Sequence, residues 1–166
     1  DEFAKELSND RAKVVGLDFD LTDREAVKEA AYKIEKLFGK VDVLVNNAGL
    51  ALGLEPEYEG CYDDWDTMVD TNIKGLLTMT RLVVPGMVKR DRGHVINIGS
   101  VVSHNGYPLQ SVYTASKHAI EGYAECLAME VNPFRIQVML VEPGDHRSGR
   151  DHCSGGDHRS DHRSPG

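Results

Sequence analysis

Residues 41–49 read Val-Asp-Val-Leu-Val-Asn-Asn-Ala-Gly. The first five are rich in β-branched residues, and the amides and glycine that follow form a polar, turn-prone end, so the stretch reads as a strand that stops at Asn46. Working outward, runs of the same kind recur at residues 13–20, 94–98 and 136–141, the last halted by Pro143-Gly144. Helical patterns lie between them. Thr22, with Glu25 three residues on, looks like an N-cap. Ala26, Val27, Ala30, Ile34, Leu37 and Phe38 then recur at helical spacing until Gly39. Trp65, Met68, Val69, Ile73, Leu76, Leu77, Met79 and Leu82 predict a long helix over 63–89, and another is expected over 112–131. Strand and helix alternate, and the strands are mostly Val, Ile and Leu, as in sheets covered on both faces. The expected fold is α/β, a doubly wound parallel sheet.

The bulk numbers set limits. With 166 residues the chain is one domain at most, or part of a larger one. Nineteen basic against 27 acidic residues give a net charge of −8, which argues against nucleic acid and anionic membrane as partners. Cys61, Cys126 and Cys153 are widely spaced and odd in number, fitting neither a disulfide framework nor a zinc pattern but a reducing cytoplasm. No apolar run approaches the ~20 residues of a membrane helix, and the charged first nine residues resemble the end of a helix rather than a signal peptide. Residues 145–166 are different. They contain no Ala, Val, Ile, Leu, Met, Phe, Trp or Tyr, repeat Asp-His-Arg-Ser three times, and hold four of the seven histidines. Such a tail is expected to be disordered, and weak metal binding there would have no fixed ligand geometry. The chain thus divides into a domain at 1–144 and a low-complexity tail at 145–166.

Ligands of open α/β sheets bind outside the carboxyl ends of the strands. Asp20, Asn46 and Ser100 stand at such ends. Tyr113 and Lys117 lie 13 and 17 residues beyond Ser100, near the start of a helix, and Asn72 lies inside the long helix. Tyr113 and Lys117, four apart, share one helix face. Each residue has a plain structural reading: a turn former in Ser100, a strand-end cap in Asn46, a buried amide in Asn72, a surface pair in Tyr113 and Lys117. Taken chemically, an ammonium one turn from a phenol favours the phenolate, and a tyrosine with a lowered pKa can exchange a proton with a substrate near neutrality.

In order and interval, Asn46-Asn-Ala-Gly49, Asn72, Ser100, Tyr113-x-x-x-Lys117 and Pro143-Gly144 resemble the short-chain dehydrogenase/reductase family over residues 1–144. Residues 46–56 and 64–81 are most similar to its NADP-dependent 3-hydroxy acid and serine dehydrogenases. The resemblance implies hydride transfer between NADP(H), or NAD, and the hydroxyl or carbonyl of a small substrate such as serine. It implies Tyr113 as general acid/base, Lys117 tuning it and holding the cofactor ribose, and Ser100 stabilising the substrate oxygen. Asn72 would organise a water that links Lys117 to solvent. Asp20 and Leu21 would contact the adenine end and Asn46 the adenosine ribose. Helices 63–89 and 112–132 would pair subunits in a tetramer.

The family begins with a strand, a Gly-x-x-x-Gly-x-Gly turn and a helix, none of which is matched here, and continues beyond Pro-Gly where residue 145 begins the repeat tail. The fold is therefore expected to be an incomplete Rossmann-like sheet lacking the first two strands and the last. In the family strand order 3-2-1-4-5-6-7, residues 13–20 are then left unpaired or collapse onto residues 41–45. The isolated chain is expected to bind dinucleotide feebly. The alternative to an active dehydrogenase is an inactive fragment, or an interaction partner of intact subunits.

Overall fold

A computed structural model of the chain describes residues 2–9 and 11–144. The disorder and weak metal binding expected of residues 145–166 fall outside the described residues. Helix α1 is Glu2–Leu7. Helix α2, Arg24–Phe38, buries Val27 and Ala30, the inward stripe of its helical repeat. Its N-cap is Asp23 rather than Thr22: the Asp23 carboxylate accepts from the Glu25 and Ala26 N–H groups, while the Thr22 hydroxyl donates to Asp20. At the other end Gly39 takes φ 75° and returns its N–H to the Glu35 carbonyl, the left-handed stop that glycine favours.

Strand β1 is Val43–Asn46. Helix α3, Tyr62–Met68, runs into a π-helical stretch, Val69–Gly75, and on into α4, Leu76–Arg90. Strand β2 is Gly93–Ile98, α5 is Ser111–Val131 and β3 is Ile136–Val141. The three strands form one parallel sheet in the order β1-β2-β3, with Leu44 beside Val95 and Val95 beside Val138. This is the Rossmann-like α/β arrangement.

Residues 13–20, expected as a strand, are not one: β1 pairs only with β2, so no strand partner is offered to that run, and it stays irregular, with Val14 held at both backbone groups by the Ser8 hydroxyl. Helices α4 and α5 cover one face of the sheet. There Leu44, Val84, Met87, Val95, Leu127, Val131 and Ile136 make the core. Gly93 is required in that layer, because a Cβ on it would lie 2.4 Å from the Met87 sulfur. The opposite face carries Val43, Val45, Ile96, Met139 and Val141. Among the described residues it is not closed over: Val45 is 53% and Met139 42% exposed. No described helix is long and apolar enough to cross a membrane.

Candidate active site

At the carboxyl ends of β1, β2 and β3 lies a cavity of about 660 Å³. Ser100, Tyr113 and Lys117 all line it, together with Asn47, Gly49, Leu50, Tyr107, Gln110, Pro143 and Gly144. Ser100 stands two residues past β2 and caps the 3₁₀ turn Val101–Ser103: its Oγ accepts from the Val102 N–H and its N–H donates to Ser103 Oγ. Tyr113 and Lys117 lie on the first turns of α5. The Lys117 ammonium donates to the Ile98 carbonyl at 3.0 Å and lies 5.7 Å from the centroid of the Tyr113 ring, within cation–π range. Lys117 is only 5% exposed, and this burial pushes its pKa below that of a free lysine. The geometry thus sets a poorly solvated cation against the face of a phenol beside an open cavity.

Asn72 sits in the π-helical stretch and is fully buried. Its Oδ1 accepts from the Leu50 N–H at 2.9 Å. Its Nδ2 donates to the Leu50 carbonyl at 2.9 Å and to Ser116 Oγ at 3.1 Å. The Ser116 hydroxyl in turn donates to the Tyr113 carbonyl at 2.7 Å. The amide therefore grips both backbone groups of one cavity-lining residue and braces the turn of α5 that holds Tyr113. The side chain expected to organise a water is occupied by protein partners. π-Helical segments of this kind recur at functional sites, because the wider turn re-aims a side chain. A Cβ on Gly49 would sit 3.4 Å from both Asn72 Oδ1 and Lys117 Nζ, so the backbone runs close past both groups.

Three expected residues lie elsewhere. The Asn46 side chain is turned into the interior, where its Nδ2 donates to Thr80 Oγ1 and Asn97 Oδ1, both at 2.9 Å. A ribose contact through that side chain does not fit this placement; the next residue, Asn47, faces the cavity instead. Asp20 is at no strand end. Its Oδ1 accepts from the Thr22 N–H and hydroxyl, both at 2.8 Å, and these bonds hold its pKa below the ordinary carboxylate value. It lines a separate acidic hollow with Asp63, Asp66 and Asp70. Leu21 packs against Gly75, where a Cβ would lie 2.6 Å from Leu21 Cγ. The inward turn of Asn46 was detectable in principle: strand neighbours point to opposite faces, and Leu44 fixes which face is inside.

In open α/β sheets the carboxyl ends of the strands are where ligands bind, and here a serine, a tyrosine and a lysine converge at that end. The family model for short chain dehydrogenases matches residues 1–152, and the chain belongs to that family. NADP-dependent 3-hydroxy acid dehydrogenase YdfG of Salmonella typhi is 44% identical over 131 residues, 79% of this chain and 53% of that protein. The 3-ketodihydrosphingosine reductase of Bacteroides thetaiotaomicron is 41% identical over 148 residues, covering 88% of this chain and 54% of its own. The crystal structure of serine dehydrogenase from Escherichia coli aligns with a TM-score of 0.79 at 39% identity, covering 86% of this chain and 67% of that one. The chain spans about half the length of the curated relatives it matches.

Proposed function

We propose that this chain carries the proton-transfer end of an NADP(H)-dependent oxidoreductase acting on the hydroxyl or carbonyl of a small 3-hydroxy acid such as serine. The observation that carries the reading is the convergence of Ser100, Tyr113 and Lys117 on one cavity. The substrate and cofactor are supported by similarity to proteins named NADP-dependent 3-hydroxy acid dehydrogenase and to serine dehydrogenase complexed with NADP+. A cytoplasmic location and a homo-oligomeric state belong to the same proposal.

The cavity fits the nicotinamide half of the cofactor. It offers the Lys117 ammonium, the hydroxyls of Ser100, Tyr107 and Tyr113, and the unbranched backbone of Gly49, Gly99 and Gly144. Lys117 and Tyr113 would hold the nearer ribose. The diphosphate fits less well: among the described residues no glycine-rich turn leads into a helix beside the cavity, and Asp20 stands among other carboxylates. When bound, the nicotinamide supplies or accepts the hydride. Tyr113 Oη gives or takes the proton on the substrate oxygen. The Lys117 cation, 5.7 Å from the centroid of the Tyr113 ring, stabilises the negative charge that develops on Tyr113 Oη as the proton leaves it. Ser100 Oγ donates to the substrate oxygen as charge builds on it. Asn72 acts at one remove, holding Leu50 and the Tyr113 turn in place.

Fluorescence titration of the purified chain with NADPH, and with the reduced nicotinamide mononucleotide that lacks the adenylate half, tests this. Both are expected to bind weakly and within about tenfold of each other, with Lys117→Ala abolishing both and Asp20→Ala neither. No binding, or binding indifferent to Lys117, defeats the reading. A second reading, an association partner without turnover, is favoured by the uncovered sheet face. Binding without any oxidation of 3-hydroxy acids supports that one, and turnover lost in Tyr113→Phe supports the first.

A further inference from the structure

His104 closes the 3₁₀ turn that follows Ser100. Its Nε2 is 2.7 Å from Glu142 Oε2, a hydrogen bond, and its Nδ1 is 3.1 Å from Glu121 Oε1. These three residues come from three separate segments. Glu121 is on α5, one turn beyond Lys117. Glu142 immediately precedes Pro143 and Gly144, which wall the cavity. The backbone already ties two of the segments: the Gly99 N–H donates to the Val141 carbonyl and the Val101 N–H to the Pro143 carbonyl. The Glu142 carboxylate is half withdrawn from water, with Oε1 buried and without a hydrogen-bond partner. We propose that His104 is a proton-operated clasp, a positioning residue that in its charged form joins the Ser100 turn, helix α5 and the Glu142–Gly144 segment around the cavity.

The charge count favours a proton. A metal ion would draw both carboxylates to one ring nitrogen, whereas here each faces its own. An imidazolium has an N–H for each carboxylate. A neutral ring has one, and leaves a lone pair against the other carboxylate. Glu121 from α5 and Glu142 after β3 are the charged groups that face the ring; the rest of its own turn, Val101–Ser103, carries none, and Lys117 is directed at the Ile98 carbonyl. The Glu142 hydrogen bond first, and then the Glu121 and Glu142 charges, raise the His104 pKa above that of a free histidine. A raised folded-state pKa gives stability that is fully present below the unfolded value of about 6.5 and is lost as pH rises through the folded value. The clasp is closed at mildly acid pH and open in alkali. It stands apart from the dehydrogenase reading, since none of its tests needs cofactor or turnover.

The test is a histidine NMR titration of the full chain, with His104→Gln assigning the resonance. His104 is expected to titrate above about 6.5, with a midpoint lowered in Glu142→Gln and Glu121→Gln and lowered by added salt. Amide exchange at Gly99 and Val101 should accelerate beyond the ordinary pH trend as wild type passes that midpoint, and follow the ordinary trend in His104→Gln. A wild-type midpoint at or below the free value, one indifferent to salt, or matching exchange profiles in wild type and His104→Gln would each overturn the proposal. Should Glu142→Gln or Glu121→Gln not fold, the assigned wild-type midpoint, its salt response and the exchange comparison with His104→Gln decide.

Discussion

Leu109 has a φ of 66°, a backbone region that branched and bulky side chains avoid. It follows Pro108 in a turn closed by the Gln110 N–H on the Tyr107 carbonyl at 3.2 Å. The second central position of such a turn prefers glycine or asparagine. Leu109→Asn is therefore expected to stabilise the chain by roughly 1 kcal/mol, the scale of left-handed strain in a side-chain-bearing residue, read as a higher thermal midpoint. Lys117 is the opposite case, a residue kept at a cost. Burial lowers its pKa, so the folded state penalises its charge at every pH below that lowered value, and the penalty is relieved as pH rises through it. Lys117→Met should leave thermal stability at pH 7 unchanged or raised, by about 1 kcal/mol at most, while removing the cation beside Tyr113; a clear loss of stability would show that the bond to Ile98 outweighs the burial. At this scale the sequence was readable for Ser100, Tyr113 and Lys117, since a strand end and the next helix's first turns meet at one place in any parallel sheet. It was harder to read for Asn46 and Asn47, because two adjacent amides differ only in the face each takes, and that face follows from counting the alternation on from Leu44.

Among elements, α2, α5, β2 and β3 were legible because each carries a period matching its state, and Gly39 marked its helix end. Residues 13–20 looked like a strand because they are apolar enough to be one, but a strand needs a neighbour, and neighbours are not written in local sequence. The long helix was expected without its π-helical stretch, since the apolar spacing tolerates the one-residue slip at Val69–Gly75 that brings Asn72 against Leu50. Where β2 meets α4, the decisive residue is Gly93. A methyl there collides with the Cβ, Cγ and sulfur of fully buried Met87, so Gly93→Ala should destabilise by about 1–3 kcal/mol. Pairing Gly93→Ala with Met87→Ala, which removes the Cγ and sulfur and leaves only the 2.9 Å approach to Cβ, should give less than the sum of the two single losses in chemical denaturation.

At the scale of the whole molecule, the sheet has one finished face. Burial of Leu44, Val95 and Ile136 under α4 and α5 supplies the core, while Val43, Val45, Met139 and Val141 meet solvent across the β1-β2-β3 register. Continuous Val, Ile and Leu runs announced a sheet meant for two covers, and the described residues provide one. Apolar surface of that kind promotes association. It also places a chemical recorder on the open side. Met139 is 42% exposed on that face and Met129, on α5, is 71% exposed, whereas Met68 and Met87 are 2% and 0% exposed. Brief peroxide treatment converts accessible thioethers to sulfoxides and spares shielded ones. With the face bare, Met139 and Met129 should both gain oxygen in peptide mass spectra, ahead of Met68 and Met87. A preparation in which Met129 oxidises and Met139 does not has that face covered, so the protein carries in two thioethers its own footprint of whether its sheet has found a second layer.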